Sequence, residues 1–200
     1  MKIVLASLNQ NKLLELRKPL EALGIELISQ KDCGVFTGAE ETGVTFEENS
    51  EQKARYVMEA TGLPALADDS GLSVDALNGA PGVHSHRFGN LDSDEARCAY
   101  LLEMLRDVPD DRRGAKFVCV ITLLMPDGRK LAARGECRGT ILRACRGKNG
   151  FGYDPLFYFP NLGKTFAELT KEEKSAVSHR GNALRNFAET YEEMIGHLNE

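Results

Sequence analysis

Ile3-Val4-Leu5-Ala6-Ser7-Leu8-Asn9-Gln10-Asn11-Lys12 decides the fold class of this chain. Its first four residues are an apolar run of strand length, and a polar turn follows at once. Leu13, Leu16, Leu20 and Leu23 then recur at helical spacing, and Gly24 marks the stop. Pro19 inside that helix predicts a kink. Ile25 to Ser29 reads as a second strand. Strand, polar turn, helix and strand in that order open an α/β fold.

Working outward, Thr45 predicts a helix cap, with Glu48 three residues on completing a capping box and Gly62 ending the helix. Pro64 to Ala67 predicts a short strand leading into an acidic turn, Asp68-Asp69-Ser70-Gly71, where Gly71 lets the backbone turn tightly. Gly79-Ala80-Pro81-Gly82-Val83 is a turn-rich loop, and Asp92 or Ser93 starts a helix through Leu105. Lys116 to Met125 is a long β-rich run, Pro126-Asp127-Gly128 turns it, and Lys130 to Cys137 returns. A further strand is expected over Thr140 to Arg143, a glycine-rich loop over Gly147 to Pro155, and a last helix from about Asn182 to Leu198. The hairpin within an alternating pattern predicts a mixed sheet.

The chain has 200 residues, 42% of them hydrophobic, which suits one compact domain or two closely joined lobes. Such a length buries roughly 70% of its unfolded surface and needs no disulfide staple. The net charge of -5 argues against a general nucleic-acid binder, which carries a basic excess. The five cysteines form no C-x-x-C pair, so they read as reduced thiols of a cytoplasmic protein, most of them small buried residues. The apolar run after Met1-Lys2 is too short for a signal-peptide core, and no stretch reaches membrane-spanning length.

Five polar clusters lie at strand ends or in loops, where α/β enzymes place their sites. Ser7 to Lys12 offers backbone N–H groups at a helix start and a lysine charge, both suited to phosphate, without the glycines of a Walker loop. Glu40 and Glu41, with Lys53 on the next helix, offer carboxylate oxygen to a hard cation. Asp68 and Asp69 follow an apolar strand, and burying an Asp costs on the order of several kcal/mol without a partner, which a metal ion or substrate would supply. One carboxylate there can bind magnesium while orienting or deprotonating a water. In Gly150-Phe151-Gly152-Tyr153-Asp154-Pro155, Phe151 suits stacking on a base and Asp154 suits accepting from a ring N–H. Lys174 offers a phosphate-binding charge, and His179 and Arg180 offer donors for carbonyl oxygens. His84 and His86 read as surface residues. Together these residues meet the needs of a nucleotide: cations on the phosphates, stacking and hydrogen bonds on the base.

At these residues the sequence resembles the inosine triphosphate pyrophosphatase family, almost end to end. The most specific pieces are Phe46-Glu47-Glu48-Asn49 with Lys53-Ala54, Ala67-Asp68-Asp69-Ser70-Gly71-Leu72, Gly79-Ala80-Pro81-Gly82, Gly150 to Pro155, and Glu173-Lys174-Ser175-Ala176. The resemblance implies hydrolysis of ITP, dITP or XTP to the monophosphate and pyrophosphate, which cleanses the nucleotide pool of deaminated purines. It implies a single α/β domain over 1–200 with a long mixed sheet and two lobes around a central nucleotide-binding cleft. It also implies a homodimer that requires Mg2+.

By the same resemblance Asp69 matches the general base and metal-linked acid, and Glu41, or else Glu40, the second metal carboxylate. Asp68 is left as a supporting partner. Ser7, Leu8, Asn9, Gln10, Asn11, Lys12, Lys53 and Ser70 match positions on the triphosphate and sugar. Phe151 matches the base-stacking residue, and Gly152, Tyr153 and Asp154 its neighbours. Lys174, His179 and Arg180 match the positions that close over base and phosphates. Donors such as His179 and Arg180 suit the C6 carbonyl of hypoxanthine and xanthine and would meet adenine's amino group donor to donor. A buried unpaired donor costs about 1–3 kcal/mol, roughly 5- to 150-fold per contact. One departure is Leu8, where the family often has a small or polar residue; activity is expected to survive because Asn9 and Lys12 remain. The alternatives are a related pyrophosphatase for other modified nucleotides and a non-catalytic nucleotide-binding module.

Overall fold

The computed structural model describes residues 1–196, so the Leu198 end expected for the last helix lies outside the described residues. Strands β1 (Lys2–Leu5), β2 (Glu26–Ser29), β3 (Ala65–Val74), β4 (Gly114–Leu124), β5 (Lys130–Ile141), β6 (Phe157–Phe159) and β7 (Lys164–Thr165) form one sheet in the order β2-β1-β3-β4-β5-β6-β7. The β1 pairings with β2 and β3 are parallel, while those of β6 with β5 and β7 are antiparallel. The sheet is therefore mixed, and with its helices it gives the expected α/β class. The chain divides into two compact units.

The first unit comprises Met1–Asp69, Cys119–Gly135 and the C-terminal segment from Ala183. It has two apolar clusters because strand side chains alternate between faces. Ile3 and Leu5 of β1 and Leu66 of β3 join Leu13, Leu16 and Leu20 of helix α1 (Gln10–Glu21). Leu184, Phe187 and Tyr191 of helix α5 (His179–Gly196) complete that cluster. Val4 and Ala6, with Ala65 and Ala67 of β3, instead meet Ala54 and Val57 of helix α2 (Phe46–Thr61). Each fully buried leucine or valine contributes about 1.5–3 kcal/mol. Both bonds of the Thr45–Glu48 capping box form, and Gly62 closes α2 at φ 69°.

The second unit comprises Ser70–Val118 and Glu136–Asn182. Helix α3 (Asp94–Met104), capped by Ser93, contributes Cys98 and Leu101 to a core with Leu72, Val74, Phe117, Phe157 and Phe166. Rings of Phe117, Phe157 and Phe166 pack within 4.6 to 5.7 Å of one another. Helix α4 (Lys171–Val177) carries its own capping box, Thr170 with Glu173.

Three expectations need correction. Residues Asp68 to Gly71 are not a turn but the middle of β3, which runs on to Val74. Asp is a poor strand residue, but both carboxylates here find cationic partners that offset its cost. The separate strand over Thr140 to Arg143 does not exist; β5 continues unbroken to Ile141, where Thr140 and Ile141 pair with β6. The last helix starts at His179 rather than Asn182, because Ser178 accepts from the Gly181 and Asn182 backbone and caps it. Helix α4 went unread because Lys-Glu-Glu-Lys-Ser-Ala-Val shows no apolar period.

All five cysteines are free thiols, as expected, and only Cys145 is exposed. Burial pushes the Cys98 thiol up to about 12 and the Cys137 thiol up to about 11. The thiolate is the reactive form, so neither is nucleophilic near neutrality. Iodoacetamide at pH 7.5 is expected to alkylate Cys145 at least about tenfold faster than Cys98 or Cys137 in the folded protein. Peptide mass spectrometry reads this, and equal labelling would contradict the burial.

Candidate active site

In the first unit the alternation of β3 separates the two aspartates. Asp68 shares the parity of Leu66 and faces α1; Asp69 shares that of Ala65 and Ala67 and faces α2. Lys12 accordingly reaches Asp68, with Nζ 3.0 Å from Oδ2 and 3.5 Å from the backbone carbonyl. Lys53 lies on the buried stripe of α2 with Ser50, Ala54 and Val57. Its ammonium sits 2.7 Å from Asp69 Oδ1 and 3.3 Å from Glu41 Oε1. Asn49, one turn earlier, donates to Asp69 Oδ2 at 3.5 Å.

The loop carrying Glu41 is fixed by the same helix. Thr42 N donates to Gln52 Oε1, Gly43 N to Asn49 Oδ1, and Val44 N to Glu48 Oε2. A Cβ at Gly43 would lie 2.6 Å from that of Glu48, so only glycine permits this approach. Glu41 is half-buried beside Lys53, while Glu40 is exposed. The structure thus separates the two glutamates that the sequence left open, and places Glu41 beside Lys53.

Asp69 is only 6% exposed. Burial raises its carboxyl above the ordinary aspartate range, and the nearby Lys53 ammonium only partly counters this. Burial works against the Lys53 ammonium too, but Asp69, Asp68 and Glu41 outweigh it and hold its pKa above the ordinary lysine value. The oxygens of Asp69 and Glu41 therefore already hold one cation, an ammonium. No group of three or more His, Cys, Asp or Glu suited to a metal exists among the described residues. That donor set fits a hard cation taking one or two protein carboxylates and filling its shell from phosphate and water.

The Ser7–Lys12 segment leads into α1. Ser7 Oγ accepts from Asn9 N at 3.1 Å, and Asn9 Oδ1 from Lys12 N at 3.4 Å. The turn is thus self-capped, with Leu8 pointing outward at 41% exposure. The side chains of Gln10 and Asn11 lie outside the described residues.

In the second unit, Phe151 is faced by two cations, Lys174 Nζ at 4.8 Å and the Arg180 guanidinium at 5.7 Å from the ring centroid. Asp154, 2% exposed, holds this arrangement: its Oδ2 accepts from Lys174 Nζ at 2.6 Å and from Phe151 N at 3.0 Å. Tyr153 is buried and donates its hydroxyl to Ser85 O at 2.8 Å. His179 stacks on Phe117 at 4.7 Å, and Arg180 donates to Ser70 Oγ at 3.4 Å. His84 and His86 are exposed, as expected.

Sequence reasoning missed four contributors: Asn49, Ser85, Asp94 and Arg97. Ser85 Oγ accepts from Leu72 N and donates to Gly82 O. Asp94 Oδ2 accepts from Gly152 N at 2.6 Å, and Arg97 Nη2 donates to its Oδ1 at 2.5 Å. Burial opposes the Asp94 charge, but the Gly152 N–H and Arg97 together hold its carboxyl below the usual range. The fit of Glu48 and Asn49 around Gly43 left a trace in the motif Phe46-Glu47-Glu48-Asn49; the role of Asp94 left none.

Comparison with known proteins gives the context of this geometry. The family model described as Ham1 family matches residues 3–190. The chain belongs to the Ham1 family. Among Ham1 relatives, a Thermus thermophilus protein named dITP/XTP pyrophosphatase is 52% identical over 193 residues, covering 96% of this chain and 93% of that one. An Escherichia coli protein of the same name is 50% identical over 187 residues, covering 92% and 94%. The solved Ham1 protein of Coxiella burnetii superposes with a TM-score of 0.89 at 47% identity, covering 96% of this chain and 99% of that one. The Staphylococcus aureus Ham1 protein does so with 0.88 at 40%, covering 97% and 100%.

Proposed function

We propose that this Ham1 chain hydrolyses the non-standard purine nucleoside triphosphates ITP, dITP and XTP to the monophosphate and pyrophosphate. The observation that carries this reading is the buried cluster of Asp69, Lys53 and Glu41. A buried carboxylate raised above its usual range is a stronger base than a solvated one, and a base near water is what phosphoanhydride hydrolysis needs. Asp69 accepts the proton of the attacking water while the oxygen forms its bond to the α-phosphorus. The bond from that phosphorus to the bridging oxygen breaks, and pyrophosphate leaves. Lys53 and Lys12 offset phosphate charge, joined by the N–H groups at the start of α1. Asp69 and Glu41 would hold a divalent cation, Mg2+ in this reading, which when bound supplies charge neutralisation at the phosphates.

On the base, Phe151 supplies the stacking face, and Lys174, His179 and Arg180 supply donors for a purine carbonyl. Gly152, Tyr153 and Asp154 hold the loop that presents Phe151. Asp68 serves as the anchor for Lys12. The chain is read as a single domain with two lobes, acting as a cytoplasmic homodimer that needs neither nucleic acid nor membrane. No described helix is long and apolar enough to cross a membrane.

Steady-state turnover of ITP, XTP, dUTP, dTTP, ATP and GTP with Mg2+ tests the reading. ITP and XTP are expected to exceed ATP in kcat/KM by on the order of 100-fold, the discrimination one or two unmatched donors supply. Comparable rates on ATP would sink the purine-selective reading. No turnover of any of them above background would leave a binding module.

A further inference from the structure

The Gly150–Asp154 loop has two glycines in the left-handed region, Gly150 at φ 77° and Gly152 at φ 61°, so its backbone has unusual freedom. Asp154 restrains it from one side, through Phe151 N. The restraint on the other side comes from one turn of α3. Asp94 Oδ2 accepts from Gly152 N at 2.6 Å, and Cys98 Sγ donates to Gly152 O at 3.4 Å. Residues four apart on a helix lie on the same face, so this pair grips the N–H and the C=O of one residue. Arg97, 5% exposed, locks Asp94 in turn: Nη2 meets Asp94 Oδ1 at 2.5 Å and Nη1 meets Leu91 O at 2.7 Å.

We propose that Asp94, locked by Arg97 and assisted by Cys98, is a positioning residue that sets the plane of the Phe151 ring for the purine base. The inference rests on the reading of Phe151 as the stacking residue. A hydrogen bond to a charged group, once lost, leaves the loop free to sample poses in which the ring no longer meets the base. Binding of the base weakens, while binding of the phosphates and the chemical step do not.

The test uses the full-length protein with ITP and Mg2+. Asp94→Ala is expected to raise KM about tenfold or more, as loss of one charge-assisted hydrogen bond does, with kcat within about twofold. Asp94→Asn keeps an acceptor for Gly152 N without the pairing to Arg97, and is expected to recover part of that loss. Competitive inhibition by inorganic tripolyphosphate, which has no base, is expected to be unchanged in both variants. An unchanged KM in Asp94→Ala alongside a raised KM in Phe151→Ala overturns the positioning role and leaves the proposed function intact. Unchanged KM in both variants removes the Phe151 reading itself. Equal weakening of ITP and tripolyphosphate makes Asp94 a general structural residue and also overturns the inference.

Discussion

Asp69→Asn is expected to lower kcat on ITP with Mg2+ by at least about 100-fold while KM moves by no more than a few-fold, the signature of a lost general base. The substitution keeps the size of the side chain and an oxygen toward Lys53, so geometry survives while basicity does not. Lys53 retains Glu41 at 3.3 Å and is not stranded. Asp69 has its pKa raised in the fold, so its ionised form costs stability at every pH above its unfolded value. Removing that charge therefore should not destabilise the protein, and the melting temperature is expected to hold or rise. Steady-state kinetics with calorimetry measure both. Turnover within tenfold of the parent would remove Asp69 from the chemistry, and a collapse of the melting temperature would make the kinetic loss uninformative about it.

Asp154→Ala is expected to be the most destabilising single change considered, by about 3–5 kcal/mol, because it strands a buried ammonium. Its carboxylate lies at 2% exposure and Lys174 is nearly as enclosed. The change also releases Phe151 N, so KM for ITP should rise in whatever protein remains folded. Asp154→Asn keeps an acceptor for the amide and should lose less stability than alanine does. Urea unfolding followed by circular dichroism gives the difference. An alanine variant within about 1 kcal/mol of the parent would mean that Lys174 reaches solvent without Asp154.

The sequence and the structure agree most closely where the cause is local. Thr45 and Glu48 announce the start of α2 because both bonds of the capping box span three residues. Leu13, Leu16 and Leu20 declare their helix by period alone, and Pro126-Asp127-Gly128 declares its hairpin by turn chemistry, with Gly128 at φ 92°. The central acids stand out in the sequence, but their backbone is strand where the sequence predicts a turn. Two aspartates after an apolar run argue for a turn by propensity, and what overrides propensity is Lys12 and Lys53, distant in sequence from the strand they neutralise. The same limit hid Asp94, whose partner Gly152 lies 58 residues away. The resemblance favours Glu41 over Glu40, and the pinned loop turns Glu41 toward Lys53.

The placement of Asp68 and Asp69 on a strand rather than a turn has a consequence for how this family can change. In a turn, neighbouring carboxylates can trade places through modest backbone rotation. On β3 their assignment is a matter of odd and even position. One residue inserted or deleted between Ala65 and Asp68 would bring Asp68 toward α2 and Asp69 toward α1, leaving composition almost untouched while exchanging every partner. A substitution on this strand alters the contacts of one side chain, whereas a change of length moves every side chain beyond it to the opposite face. Members of this family should therefore tolerate indels in exposed loops away from the Asp69–Lys53–Glu41 cluster long before they tolerate one in β3.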